Sequence, residues 1–486
     1  MSPLVASVVN ALETSGIRYC HWKSNNTVGD ALCGIGDIDF LVPESDTERF
    51  RGIMLAHDFI RTQDPTRETT PHLEHWYGYC GSSPNLIHFH IYFRIITGGA
   101  IFKNRRFKVE TLLLDRTRKA YGILLPKPEL DCLLLVLRKM IEQPSLIEHY
   151  LFLKEWPAVR KELVWLESQI DASCLTDALA AAFHKIEPEL FFRCRDALLN
   201  GSSTLERVIL GHRVRRLAGT PLIPEWIASL RRSWSFFMII FRSKSGLSKR
   251  KLRRLNGKGM LLAFVGPESS GKSTLSHRIA SWLNEFCQIT HVHMGKPPAT
   301  AATFLPRAVI AVAVRLRRIL PRKNHCIASC AERTDSQVEN RPHPIIALLD
   351  AYERRALVRR VRRGVSRGGI VVTDRYPSTN SETVDCPKIP TQGWWRLLST
   401  AERAIYASIP VPDRVIKISA PLELTIARNS SRPNPEPENF LRNRHSRVLR
   451  LHFEGVPTLS LDNTGTLEDA LSKIKPFVWR GIQQSA

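Results

Sequence analysis

MLLAFVGPESSGKSTLSHRIASWLNEF (260–286) decides how the second half of this chain is read. An apolar run leads into GPESSGKST, Gly266 to Thr274, and an amphipathic run leads out of it. The spacing predicts strand, glycine-rich loop and helix in that order, the arrangement in which GxxxxGK[ST] cradles phosphate oxygens. Backbone N–H groups of Gly266, Ser269, Ser270, Gly271, Lys272, Ser273 and Thr274 are expected to converge there, helped by the positive end of the helix dipole. Lys272 brings a point charge to the β and γ phosphates of ATP, and the Ser273 hydroxyl suits Mg²⁺. The alternative is a chance glycine-rich turn.

Outward from the loop, short apolar strands are expected at Met260–Val265, Thr290–His293, Ile370–Thr373, Val415–Ser419 and Thr458–Leu461, with helices between them, notably Ile345–Arg363. That alternation predicts an α/β fold, a parallel sheet flanked by helices. Upstream, strands at Ile17–Trp22, Asp37–Val42 and Leu86–Tyr92 and helices at 4–14 and 44–57 read as a small α/β unit. From Lys127 to about Arg232 the apolar spacing becomes helical. The expected organisation is a small α/β domain (1–120), a helical domain (121–241), a basic exposed linker (242–257) and the nucleotide-binding domain (258–486).

From about Lys258 to Ile482 the chain resembles the thymidylate kinase family of P-loop kinases. The resemblance rests on the loop and three further segments: GGIVVTDRYP (368–377), PDRVIKISAPLELTIARNSSR (412–432) and TLSLDNTGTLEDALSKI (458–474). It implies that Asp374 sits beside Mg²⁺ or the acceptor phosphate, and that Arg375 grips that phosphate. It also implies that Arg428 and Arg432 close over the transferring group as lid arginines, where cations stabilise transition-state charge. Arg354 or Arg355 falls near the family's acceptor-binding arginine. The bland readings are a strand-end ion pair for Asp374 and Arg375, and a solvated i,i+4 helix face for Arg428 and Arg432. Two departures stand out. No Ala-Tyr-Gln follows the Asp-Arg-Tyr strand, and HMGKPP, with Lys296, replaces the family's Arg-Glu-Pro-Gly. The implied activity is phosphoryl transfer from ATP to a nucleoside monophosphate, dTMP first. The rivals are another phosphorylated or sugar-linked acceptor, and a non-catalytic ATP-gated regulatory protein.

GIGDIDFLV (34–42) sets Asp37 and Asp39 two apart on a strand, so period-two alternation turns both carboxylates to one face. Such a pair can hold a divalent metal. With HWKS upstream, residues 15–95 resemble the nucleotidyltransferase superfamily, which pairs Gly-Ser with Asp-x-Asp. Here Lys23 stands at the usual glycine, and His88 and His90 stand where a third carboxylate is expected. The resemblance therefore leaves an active transferase and a degenerate, nucleotide-sensing or structural domain both open.

Across 486 residues, 70 Lys+Arg against 46 Asp+Glu leave a net charge of +24, which favours anionic partners. Its composition excludes a disordered chain and a polytopic membrane protein. The ten cysteines form no CxxC pair, and Cys326 and Cys330 have no second cluster, so reduced cytoplasmic thiols are expected. No secretory leader is apparent. Three basic stretches lack acids (242–258, 307–323, 354–367). The apolar runs bordered by cations at 234–244 and 306–323 read as core-packing helices with a cationic exposed face, with peripheral contact to an anionic membrane as the alternative. Nucleic acid fits less well, because aromatic residues are sparse there.

Overall fold

The computed structural model describes residues 1–63, 72–81, 86–99, 103–142, 146–244, 253–295, 297, 300, 303–310, 312, 343–379 and 385–485. Lys296, Cys326 and Cys330, and most of the 307–323 stretch, lie outside these residues. The chain is mixed α/β and divides into two compact units, Met1–Arg253 and Arg254–Ala486.

In the second unit five parallel strands form one sheet, in the order Ile289–Val292, Ile370–Thr373, Leu261–Val265, Arg414–Ser419, Thr458–Asp462. Leu261–Val265 is central because its residues are apolar without a break: Leu261, Leu262, Ala263 and Phe264 are all 0% exposed. Burying each large side chain contributes about 1.5–3 kcal/mol, which only a strand covered on both faces collects. Leu261, Ala263 and Val265 share a core with Val358, Val361 and Val365 of the helix Pro344–Val365. Leu262 and Phe264 alternate to the opposite face.

The first unit holds a mixed sheet in which Cys20–His21, Asp37–Leu41, Leu86–Tyr92, Leu73–Tyr79 and Ile60–Gln63 lie side by side in that order. Asp37–Leu41 runs parallel to Leu86–Tyr92, and the other neighbours are antiparallel. The helix Pro3–Thr14 buries Val5, Val8, Val9 and Leu12 in the core formed with Phe40, Trp76 and Phe89. Helices follow from Pro128–Ile141 onward to Glu225–Lys244.

Three expectations need correcting. Residue 120 is no boundary between separate cores: Trp22, Leu41, Tyr92 and Phe107 share one cluster with Leu133, Leu137 and Phe191. The linker does not begin at Arg242, because the helix Glu225–Lys244 continues through it. Ile17–Trp22 shortens to a two-residue strand, Cys20–His21. On the helix Glu225–Lys244, Trp226, Leu230, Trp234, Phe237 and Phe241 are all exposed. Among the described residues no helix is long and apolar enough to cross a membrane.

Candidate active site

The carboxyl end of the central strand opens at the point where the chain crosses from one side of it to the other. Ile370–Thr373 lies on one flank and Arg414–Ser419 on the other. In open parallel sheets ligands bind at such a crevice. Gly266 leaves the strand with φ 155°, and a Cβ there would lie 2.2 Å from the Ile418 carbonyl. Gly271, at the helix N-cap with φ 96°, would push a Cβ to 2.4 Å from Nδ2 of Asn463. That amide donates to the Ser270 carbonyl at 2.7 Å and pins the loop to the turn after the last strand. Only glycine satisfies both positions. The helix Lys272–Leu283 begins at once, so its first-turn N–H groups sit at the loop. The buried Ser269 hydroxyl has no hydrogen-bond partner among the described residues. A wrapped loop, a helix N-terminus and an unpartnered buried hydroxyl fit a phosphate chain.

Lys272 is buried, and its ammonium donates to the Pro267 carbonyl. Burial pushes this ammonium down to about 8, against the pull of the neighbouring Glu268 carboxylate. Ser273 Oγ lies 3.5 Å from Oδ2 of Asp374, the residue that follows the strand Ile370–Thr373. His293 Nδ1 meets both oxygens of that carboxylate, at 2.8 and 3.0 Å. A serine hydroxyl beside a carboxylate is an oxygen-donor pair suited to Mg²⁺, and Asp374 is a buried one that His293 already contacts.

Arg375 donates to Glu268 Oε1 at 2.8 Å and lies 3.7 Å from Asp385 Oδ2. Glu268, Lys272, Asp374, Arg375, Asp385 and Arg444 line one cleft with the apolar wall of Tyr376, Val448 and Leu451. Burial works against the charge on Glu268, yet Lys272, Arg375, Arg444 and Arg432 together hold its carboxyl below the usual range. The cleft thus keeps its cations neutralised by a carboxylate that a phosphate can replace.

Of the arginine pair at 354–355, Arg354 is the one directed inward. It is 5% exposed and donates to the Gly295 carbonyl at 2.7 Å, to Asp385 Oδ1 at 2.9 Å and to the Tyr406 hydroxyl. Replacing Arg354 with alanine leaves Asp385 buried with only the more distant charges of Arg375 and Lys388. The expected cost is about 3–5 kcal/mol of stability, read as a lower midpoint in urea unfolding.

The lid pair separates. The helix carrying Arg428 ends at Ser430, so Arg432 lies beyond it and the two share no helix face. Arg428 donates to the Asn463 carbonyl at 3.1 Å, beside the loop, and Arg432 is exposed. Lys272, Ser273, Asp374 and Arg375 come together; His293, Asp385, Arg444 and Asn463 join them without any sequence signal having marked them.

In the first unit, Asp37 and Asp39 do face one side of the sheet, but neither carboxylate is free. Asp37 Oδ1 lies 2.7 Å from His88 Nδ1. Asp39 Oδ1 accepts from Lys23 Nζ at 2.9 Å and lies 3.1 Å from His90 Nδ1. Burial opposes the charge on Asp39, and Lys23 and His90 outweigh it, holding the carboxyl far below the ordinary range. Burial pushes the His88 imidazole down to about 4 despite its bond to Asp37. An Asp-x-Asp pair already bridged to lysine and histidine is poorly placed to hold two Mg²⁺ ions. Neither protein-family models nor curated proteins yield a match to this chain.

Proposed function

We propose that the second unit is a P-loop kinase that transfers the terminal phosphoryl group of ATP to a phosphorylated acceptor, a nucleoside monophosphate with dTMP the first candidate. One observation carries this reading: Lys272, Ser273, Asp374 and Arg375 meet at a glycine-wrapped loop where the strand order of the parallel sheet reverses. Mg²⁺ bound with ATP would supply charge neutralisation across the β and γ phosphates, held through Ser273 and Asp374. The loop amides position the phosphate chain, and Lys272 places its charge where negative charge builds during transfer. Arg375, released from Glu268, holds the acceptor phosphate, and Arg354 braces Asp385 behind it. Arg428 and Arg432 flank the approach, and the Tyr376–Val448–Leu451 wall limits water.

Purified protein with Mg-ATP and a panel of nucleoside monophosphates tests this, with products separated by chromatography. ADP and one nucleoside diphosphate should appear in equal amounts. ADP without a phosphorylated acceptor would point instead to an ATPase or a regulatory protein.

Lys272 also sets a pH dependence. Its ammonium titrates at about 8 in the free protein, and a bound phosphate chain favours the charged form, raising that value in the complex. Affinity for ATP should therefore be flat below pH 8 and fall above it, by up to about tenfold per pH unit. Calorimetric titration in buffers of different ionisation enthalpy should find no proton uptake at pH 7 and uptake approaching one proton at pH 9.

A further inference from the structure

We propose that His75, His88 and His90 of the first unit form a site for a zinc-type transition-metal ion, with Asp37 and Asp39 gripping the imidazoles from behind rather than ligating the metal. Alternation along Leu86–Tyr92 sets His88 and His90 on one face. His75, on the antiparallel neighbour, lies directly opposite His90. Asp37 and Asp39, on the parallel neighbour, lie opposite His88 and His90. Three adjacent strands thus deliver all five side chains to one patch.

The hydrogen bonds fix which ring nitrogens are available. A neutral His88 that donates from Nδ1 to Asp37 at 2.7 Å presents a lone pair at Nε2. His90 Nδ1 lies 3.1 Å from Asp39 Oδ1, and its buried Nε2 has no partner among the described residues. His75 Nδ1 is 3.3 Å from His88 Nε2. Two nitrogens bound tetrahedrally to zinc at about 2.0–2.1 Å are themselves about 3.3 Å apart. Ligand atoms of all three histidines lie within 4.8 Å of one another, so modest ring rotation closes the set. A carboxylate on the far nitrogen of a ligating histidine is the usual way to orient the ring and raise its basicity.

Three imidazoles select a borderline ion such as Zn²⁺ over Mg²⁺, which prefers oxygen. Asp37 behind His88 offsets part of the ion's charge, while Asp39 is already paired with Lys23.

Full-length protein, stripped with EDTA and free of nucleotide, is titrated with Co²⁺ and then Zn²⁺. The visible absorption of tetrahedral Co²⁺ should saturate at one equivalent, be displaced by Zn²⁺, and survive millimolar Mg²⁺. His90→Gln should weaken binding at least ~100-fold, and Asp37→Asn, which keeps every ligand, about 10–100-fold. Circular dichroism checks that each variant is folded. Should His75 or His90 variants unfold, the wild-type titration still decides. No cobalt spectrum and no retained zinc would mean that the cluster is only hydrogen-bonded. Equal binding by folded His75→Gln, His88→Gln and His90→Gln variants would overturn the proposal as well.

Discussion

Lys272→Ala is expected to lower kcat/KM for phosphoryl transfer by about 10²–10³-fold, with the protein still folded. The ammonium sits inside the loop, bonded to the Pro267 carbonyl and beside Glu268. It is a fixed charge in a site screened from water, the setting in which one electrostatic stabiliser is worth about 2.7–4 kcal/mol. Folding should tolerate the change. Burial disfavours this ammonium, and Glu268 keeps Arg375 as a partner at 2.8 Å when the lysine is gone. Turnover should therefore collapse while the melting temperature moves by no more than a few degrees. Unchanged turnover, with contaminating kinases excluded, would remove phosphoryl transfer from this site.

The second large effect is expected at Asp374→Asn, a fall in kcat of about 10²–10³-fold. Asparagine keeps the shape and one oxygen, so hydrogen bonding to Ser273 or His293 survives in part, but the negative charge is lost. A hard cation is held by oxygen charge more than by geometry. The variant should accordingly need much higher Mg²⁺ for half-maximal rate, whereas binding of ATP without metal should change little. Rates measured across a Mg²⁺ series separate this from simple misfolding, which no concentration of metal would repair. A variant with wild-type Mg²⁺ dependence would place the metal elsewhere.

What was legible in the sequence is what local spacing encodes. Gly266 and Gly271 announce backbone geometry that other residues do not tolerate, and the apolar strand before them and the helix after them share the same few turns of chain. Ile370–Thr373 was legible because four consecutive apolar or β-branched residues have only one comfortable home, a strand buried on both faces. The residues that complete the site carry no such local mark. His293 reaches Asp374 across 81 positions, and Arg354 reaches Asp385 across 31. The first pair exists because two adjacent parallel strands end side by side, the second because the helix Pro344–Val365 turns Arg354 toward the segment that carries Asp385. Arg354 differs from Arg355 in nothing but the helix face on which it falls.

In the first unit the strand Lys103–Phe107, KNRRF, was unreadable for a related reason: Asn104 and Arg105 are buried polar residues held by partners far along the chain. Asn104 bonds to the Ile223 backbone, and Arg105 to Glu225 at 2.8 Å. Leu73–Tyr79 hid His75 among aromatic residues, so the histidine cluster emerged only when two antiparallel strands set it against His90. Asp37 and Asp39 share one face, as strand alternation predicts, and the residues that depart from the nucleotidyltransferase pattern, Lys23, His88 and His90, are the ones that bond to them and change what the carboxylates can do.

The most direct measurement follows the γ-phosphoryl group itself. Full-length protein is incubated with Mg²⁺ and ATP labelled at the γ-phosphorus, with dTMP and the other nucleoside monophosphates in turn, and the label is located after separation. Label is expected on the β-phosphorus of one nucleoside diphosphate, with about a hundredfold to a thousandfold less in Lys272→Ala. Label found only in inorganic phosphate, or equal transfer by Lys272→Ala, would contradict that expectation.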